Sequence, residues 1–306
     1  MRSSAYLFSI GTPTLGRSAA LLRCLASVAD QAGVEVEHVV QEKAVAGRPP
    51  ATGSAGQQNN QTMKRPTHES TDSPRRRRHW FSEDDTGIYD ALNRGFARAT
   101  GELCGWLNDD EQYLPDALAR VAQAAAENPA AEIFFGGAVV VNAEGQPLAW
   151  RRTAHLRFAC VAAAHLYTLS CALFFRRRLW ERLGGFDAGL RIVGDEDFIG
   201  RALRAGASAQ PVPGFLGSYT VHPGQISAGV EAARRELAIL KRRWPPWTQR
   251  LIPVLKAWRR LEDAAHGWWP GRSLTLDCAL YRGDDLTRRV TVQARCNGRW
   301  PGPVWE

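Results

Sequence analysis

The sequence predicts an α/β fold in which helices flank a mostly parallel central sheet, with a C-terminal helical and extended appendage. Near the start, a strand ends in the turn Gly11-Thr12-Pro13-Thr14, apolar residues recur at helical spacing over 21–28, and residues 34–40 alternate like a second strand. A β-α-β unit with a short connection is typical of a parallel sheet covered by helices. The appendage is predicted because residues 228–306 begin as a basic, tryptophan-rich helical stretch and become extended after 274.

The middle of the chain continues the alternation of strands and helices. Strands are predicted at 102–107, 132–135, 138–141 and 172–175, and two short ones within 210–221. Helices are predicted after Asp85, near Pro115, before Leu183 and after Asp195. Residues 43–79 hold almost no large apolar side chain, so burial cannot offset the entropy of ordering them, and they are predicted to form an exposed insertion loop.

Composition and charge limit the class of protein. The 306 residues are 44% hydrophobic and carry a net charge of +8, which suits a globular chain with an anionic partner. The stretch 158–175 is too polar for a membrane span, which needs about 20 mostly apolar residues. The six cysteines are scattered, which predicts reduced thiols in a cytoplasmic protein, and the arginine run 75–78 predicts a solvated loop rather than a nucleic-acid site.

An acidic cluster follows the strand at 102–107 and is the first candidate site. Asn108, Asp109, Asp110 and Glu111 stand at the carboxyl end of that strand, where open α/β sheets bind ligands. Oxygen ligands of this kind suit Mg²⁺ together with substrate phosphates. Alone, the cluster is equally consistent with a solvated acidic turn.

Two further polar segments could contribute chemistry. Gly194-Asp195-Glu196-Asp197 opens a helix, where carboxylates either cap the helix or serve as a general base for a hydroxyl. His222 follows a strand in a turn and is either structural or a ligand.

Taken in order, these segments resemble the family-2 glycosyltransferases, which have the GT-A fold, use nucleotide sugars and invert the anomeric centre. The resemblance covers roughly residues 5–227, so residues 1–227 are predicted to form the glycosyltransferase domain. It rests on six motifs, at Ser9–Thr14, Ser82–Gly95, Trp106–Pro115, Phe174–Arg177 with Gly184–Asp187, Asp195–Asp197 and His222–Ser227.

The resemblance implies a role for each matching residue. Donor binding would fall to Thr12 and Glu42 at the nucleoside, Asp85 at the base or ribose and Arg94 at the diphosphate, with Asn108 and Asp109 beside them. A divalent metal, Mn²⁺ or Mg²⁺, would be held by Asp110, Glu111 and His222. Asp195 would be the catalytic base, with Asp197 as the alternative because the register is ambiguous by two residues.

The chain departs from the family pattern at three points. Glu42 stands where the family usually has an aspartate, and the short polar loop that follows is stretched, with Ser70-Thr71-Asp72 displaced by the insertion. Glu111 also replaces an aspartate. These departures motivate a second hypothesis, a catalytically degenerate sugar-nucleotide or glycan-binding protein. A third, a nucleotidyltransferase, is disfavoured because the turn 11–17 carries a single base.

The predicted partners are a nucleotide-diphosphate sugar and a hydroxyl acceptor, either a glycan or a lipid-linked glycan, in polysaccharide or glycolipid assembly. Residues 234–260 interleave bases with tryptophan and aliphatic residues. This stretch either packs its apolar face on the catalytic domain or lies peripherally on the inner face of an anionic membrane.

Overall fold

The computed structural model describes residues 7–16, 18–44, 76–164, 166–222 and 230–301. The central part of the predicted insertion loop, residues 45–75, lies outside the described residues, as do residues 223–229 of the last motif.

The N-terminal half of the central sheet is parallel, as predicted. Its strands lie in the order β3-β2-β1-β4, and each neighbouring pair runs parallel. Apolar faces of two helices cover this half, with Leu21, Leu25 and Val28 buried from one helix and Leu92 and Phe96 from the other. The elements are β1 (Leu7–Thr14), α1 (Ala19–Ala29), β2 (Glu35–Lys43), β3 (Arg76–Glu83), α2 (Ile88–Arg98) and β4 (Leu103–Trp106).

Strand β3 corrects the predicted boundary of the insertion loop. Residues 76–79 belong to this strand, which pairs with β2 from Val36 opposite Arg76 to Lys43 opposite Glu83. The sequence analysis did not predict this part of the strand because its arginines interrupt the apolar alternation by which strands are recognised. Charged side chains are tolerated there because β3 is the edge of the sheet, where they also discourage pairing with another chain.

The second half of the sheet is mixed. The order continues β4-β8-β6-β9-β5, with β8 antiparallel to both neighbours, β6 parallel to β9, and β7 paired with β6. The two strands predicted within 132–141 form one strand, and so do the two within 210–221, because glycines 136, 137, 214 and 217 allow bends without ending the pairing. The elements are β5 (Gln112–Tyr113), α3 (Ala117–Glu127), β6 (Ile133–Asn142), β7 (Pro147–Arg151), α4 (Phe158–Ala163), β8 (Leu173–Arg176), α5 (Arg177–Leu183), α6 (Gly194–Arg204) and β9 (Ala209–Val221).

The C-terminal segment packs on the sheet domain. Leu240 of its first helix and Trp244, just after that helix, are buried against the helices of that domain, and Cys278 and Leu280 of a hairpin pack with Trp150. None of the described helices combines the length and the apolar character that crossing a bilayer requires. The elements are α7 (Val230–Arg243), α8 (Pro246–Arg250), α9 (Ile252–Ala265), β10 (Leu274–Arg282) and β11 (Asp285–Cys296).

An aromatic core fixes the helices that carry the candidate base. The rings of Phe186 and Phe198 lie 4.6 Å apart, and Phe175 lies 5.0 Å from Phe198. Phe96 of α2 packs against Phe175 at 5.6 Å. This cluster brings the start of α6 against α2. All six cysteines are buried and unpaired, which confirms the prediction of free thiols.

Candidate active site

The carboxyl ends of β1, β2 and β4 meet at one edge of the sheet. Thr14 lies opposite Glu42 in the β1–β2 register, and the Leu107 backbone N–H donates to the Gly11 carbonyl over 3.1 Å. The chain therefore leaves β4 beside β1 just before the acidic cluster. This is the edge at which parallel sheets bind ligands.

Asp109 and Asp110 form a half-buried acidic turn at this edge. Thr14 Oγ1 donates to Asp109 Oδ2 over 2.7 Å, and Asp110 Oδ2 lies 3.0 Å from His222 Nε2. Burial raises the pKa of both carboxyls, and for Asp110 the charge of Asp109 raises the pKa further. The turn thus holds two carboxylates that repel each other, with His222 beside one of them.

Glu111 does not join this group. Its side chain is 1% exposed and accepts from the Asn108 backbone N–H at 2.9 Å and from Ser170 Oγ at 2.8 Å. Burial, and next the charge of Asp110, raises the pKa of Glu111 to about 8. The role of Glu111 as a metal ligand stays a prediction, and these two hydrogen bonds argue against it. Glu111 points into the protein and ties the acidic turn to the 3₁₀ turn at Ser170.

Without Glu111, the groups that could hold a divalent cation at this turn are Asp110 and His222, with Asp109 beside them. Within the described ranges, no cluster of three or more carboxylate, imidazole or thiol groups is poised for a metal. Asp110 and His222 provide a carboxylate and an imidazole in contact, with Asp109 adjacent. A cation would relieve the repulsion between the two carboxylates. Mg²⁺ and Mn²⁺ accept few protein ligands when substrate phosphates supply the others.

The predicted nucleoside residues are each held by a hydrogen bond within the protein. Glu42 is 3% exposed at the end of β2 and accepts from Trp80 Nε1 at 3.0 Å, and Asp85 Oδ1 accepts from the Gly87 N–H at 3.0 Å. The Thr12 side chain lies on the interior side, 2.9 Å from His38 Nε2. Thr14, two residues further along the strand, is the threonine beside the acidic turn.

Arg94 has its charge balanced within the protein. Its guanidinium bonds Asp90 at 3.3 Å and lies 3.7 Å from Glu83. Desolvation raises the pKa of Asp90, but the stronger combined effect of Thr86 and Arg94 leaves that pKa below its ordinary value. Any contact of Arg94 with a diphosphate would have to compete with these carboxylates.

Of the two candidate bases, Asp195 accepts hydrogen bonds from neutral groups of the described residues, whereas Asp197 accepts them from arginines. Tyr89 Oη shares its proton between Asp195 Oδ1 at 3.3 Å and the Ile192 carbonyl at 3.2 Å, and the Glu196 N–H donates to Asp195 Oδ1 over 2.8 Å. Burial raises the pKa of Asp195 to about 6. Asp197 is fully buried and bonded by Arg201 at 2.7 Å and Arg243 at 2.8 Å. Two guanidinium groups neutralise Asp197, so its geometry is that of a structural carboxylate.

The approach of α6 to α2 depends on Gly194. A Cβ at this position would lie 2.5 Å from the Tyr89 ring, which no side chain could accommodate without moving that ring. Glycine therefore lets the first turn of α6 bring Asp195 to the Tyr89 hydroxyl.

Three positioning residues escaped the sequence analysis. Asn93 exchanges hydrogen bonds with the backbone of Phe186 at 2.8 and 2.9 Å, which fixes the turn before α6 to α2. Glu236 of α7 accepts from the backbone N–H groups of residues 191, 192 and 193 at 2.8–3.1 Å. Tyr89 and Asn93 lie inside a recognised motif and could have been found there. Glu236 carries no such signal.

Comparison with known proteins identifies the class to which this fold and site belong. Residues 66–186 match the model of the family described as Glycosyl transferase family 2. A PGL/p-HBAD biosynthesis glycosyltransferase of Mycobacterium bovis is 25% identical over 276 residues, which cover 84% of this chain and 99% of the relative. An uncharacterized glycosyltransferase of Mycobacterium tuberculosis is 31% identical over 141 residues, and this match spans only 50% of that relative and 44% of this chain.

Solved structures show the same fold. The mannosyltransferase PcManGT from Pyrobaculum calidifontis, in complex with GDP-Man and Mn²⁺, has a TM-score of 0.53 at 16% identity, covering 85% of this chain and 70% of that chain. S. aureus TarS 1-349 in complex with UDP-GlcNAc has a TM-score of 0.52 at 11% identity, covering 95% and 99%. The chain carries a family-2 glycosyltransferase domain of the GT-A fold, as its motifs predicted.

Proposed function

We propose that this chain is an inverting glycosyltransferase that moves a sugar from a nucleotide-diphosphate sugar to a hydroxyl acceptor in polysaccharide or glycolipid assembly. The observation that carries the proposal is the environment of Asp195. This carboxylate is half-buried and bonded by a phenol and a backbone N–H, and desolvation raises its pKa to about 6. A carboxylate with a pKa near neutrality is suited to accept a proton from a hydroxyl.

Asp195 would act as the general base. It takes the proton of the acceptor hydroxyl as that oxygen attacks the anomeric carbon, and the bond from this carbon to the diphosphate oxygen breaks on the opposite face. One displacement inverts the centre. Tyr89 would hold the carboxylate in place through its 3.3 Å hydrogen bond.

The donor would lie along the carboxyl edge of the sheet. Glu42, held by Trp80, and Asp85 would contact the nucleoside, and Asn108 and Asp109 would lie near the diphosphate. Asp110 and His222 would hold Mn²⁺ or Mg²⁺, which as a Lewis acid stabilises the charge of a departing nucleoside diphosphate.

A donor screen with an Asp195 variant tests the function. Wild-type protein is incubated with Mn²⁺, a panel of nucleotide sugars and candidate acceptors, and products are detected by mass spectrometry. Asp195→Asn should abolish transfer while calorimetry still detects donor binding. Tight donor binding by the wild type without transfer to any acceptor would instead favour the glycan-binding hypothesis, and unchanged turnover of the variant would remove Asp195 as base.

The α8–α9 segment supports a peripheral contact with an anionic membrane, which would suit a lipid-linked acceptor. Its outer face bears exposed apolar side chains with exposed arginines beside them, while its two carboxylates, Glu262 and Asp263, pair inward with Arg157 and Arg259. An apolar face flanked by bases is typical of helices that lie in the bilayer interface. The apolar residues, spaced four and three apart, are Trp247, Leu251, Val254, Trp258 and Leu261.

Vesicle sedimentation tests this contact. Val254→Asp and Leu261→Asp should weaken binding to vesicles that contain phosphatidylglycerol, and added salt should weaken it for the wild type. Val290→Asp, at an exposed apolar position of the hairpin, is the matched control. Equal binding of all four proteins would exclude the helical face as the contact.

A further inference from the structure

A cleft rich in arginine and aromatic side chains lies where β7, the end of α9 and the end of the hairpin meet. It is separate from the acidic turn and plays no part in the mechanism above. Its walls include four guanidinium groups and two aromatic rings, from Arg151, Arg152, Arg259, Arg260, Tyr167 and Trp268.

Guanidinium groups outnumber carboxylates among the described residues that line this cleft. Among the described residues that line it, Asp263 is the only carboxylate. Asp263 is buried and already accepts from Arg259 at 2.5 Å, Thr153 Oγ1 at 3.0 Å and the Ala154 N–H at 2.8 Å. One carboxylate therefore faces four guanidinium groups.

Aromatic stacking holds these guanidinium groups in place. Arg152 lies 4.2 Å above the Trp268 ring, Arg151 lies 4.9 Å from the Trp300 ring, and Arg259 lies 3.2 Å from the Tyr167 ring. Stacking on a ring leaves the edge of a guanidinium available for in-plane hydrogen bonds. Burial, and next the charge of Arg120, lowers the pKa of Arg152.

One wall of the cleft connects to the reaction centre through a short segment. The Leu166 N–H donates to Glu196, the neighbour of Asp195, and Ser170 Oγ donates to Glu111, the neighbour of Asp110. Tyr167 lies between these two anchors. Three residues of chain span at most about 11 Å, so the Tyr167 backbone is within that distance of Ser170.

We propose that this cleft binds a phosphate group carried by the acceptor, and thereby helps to select an anionic acceptor. This inference rests on the proposed function. Guanidinium groups bind phosphate through paired, charge-assisted hydrogen bonds, and the cleft offers several such groups beside the 166–170 segment that is bonded to Glu196 and Glu111. The phosphate could belong to a lipid headgroup or to a soluble phosphomonoester, since both present the same oxygens.

Binding measurements on purified full-length protein test the cleft. Calorimetry with glycerol phosphate, in the presence of a chelator that removes metal from the acidic turn, probes the soluble form. Flotation with phosphatidylcholine vesicles containing phosphatidic acid probes the lipid form. Arg152→Gln and Arg260→Gln should each weaken binding about tenfold or more, because a hydrogen bond to a charged group is lost. Arg152→Lys keeps the positive charge but loses the paired N–H donors of the guanidinium, so its affinity should lie between those of the wild type and Arg152→Gln.

Controls keep the result interpretable. Arg288→Gln removes an exposed arginine near the start of β11, which is not part of the cleft, and this variant should bind as the wild type does. Arg152→Gln could disturb the fold. Arg260 is exposed on α9, so Arg260→Gln is expected to leave the fold intact and serves as the second variant. Equal binding of both probes by the wild type and the glutamine variants would overturn the proposal. Binding of the vesicles alone, weakened by Arg152→Gln, would assign the phosphate to a lipid, and binding of both probes, each weakened by Arg152→Gln, would admit a soluble acceptor. These binding assays use no nucleotide sugar, so their results can be interpreted even if the donor screen detects no transfer.

Discussion

The hydroxyl of Tyr89 donates to Asp195 Oδ1 over 3.3 Å and joins the motif at the start of α2 to the first turn of α6. The phenol stabilises the ionised carboxylate, whereas burial opposes ionisation more strongly. The two segments are more than a hundred residues apart, and their contact sets the protonation of the candidate base.

The first prediction concerns the pH dependence of transfer. Asp195 must be ionised to accept a proton, and its pKa is raised to about 6, so the rate should fall as pH decreases through about 6. An enzyme whose base is an aspartate of ordinary pKa would keep its activity to below pH 5. Initial rates with saturating donor and metal, measured in a series of constant-ionic-strength buffers, check this. A profile flat down to pH 5 would argue against Asp195 as the base.

Tyr89→Phe should shift that profile. Removal of the phenol takes away a hydrogen bond that favours the ionised form, so the pKa of Asp195 should rise and the acidic limb should move to higher pH. The maximal rate should change less than the pH of half-maximal rate. Tyr281→Phe removes a similar hydrogen bond, to Asp30 in the hairpin region, and should leave the profile in place.

Glu196→Gln should change how stability depends on pH. Burial raises the pKa of Glu196 to about 8, above its ordinary value of 4.5. The folded protein therefore holds a proton that the unfolded chain releases between these values, and stability falls as pH rises from about 4.5 to about 8. Glutamine does not titrate, so the variant lacks this pH-dependent loss of stability. The free energy of unfolding of the variant minus that of the wild type should therefore increase from pH 4.5 to pH 8. Urea unfolding at pH 5 and pH 8 measures the difference, and a constant difference would contradict the assignment.

Asp110→Asn and Glu111→Gln should separate the metal position from its structural neighbour. Asp110→Asn should weaken the Mn²⁺ dependence of donor binding, measured by calorimetry over a metal titration. Glu111→Gln should leave that dependence close to the wild type, because both Glu111 oxygens are bonded inside the protein. Loss of metal response in Glu111→Gln with a retained fold would restore Glu111 as a ligand.

Glu236→Ala should lower activity through the loop before Asp195. It removes the acceptor of three backbone N–H groups, and hydrogen bonds to charged groups are worth roughly 1.5–3 kcal/mol each before relaxation. Thermal unfolding should report a loss of about 2 kcal/mol, and turnover should fall with little change in donor affinity. Glu231→Ala, exposed one turn earlier on the same helix, is the control.

The sequence was informative wherever a pattern is local. The β-α-β start, the acidic turn after β4 and the helix after Asp195 were all readable from period, turn residues and motif order. It was less informative where partners are distant. Glu111 and Asp110 are adjacent in the chain, yet only packing against Ser170 turns Glu111 inward, and only Arg243 from α7 neutralises Asp197. Charges that stack or pair across the fold, as in β3, give no periodic signal.

The bonds from Glu236 to residues 191–193 also bear on how the protein comes into being. The loop and Asp195 leave the ribosome before α7 does, so a nascent chain exposes its candidate base while the anchor of that loop is still being synthesised. The catalytic loop can reach its final geometry only after α7 has emerged. Newly made polypeptide is thereby expected to acquire turnover only after α7 has been synthesised.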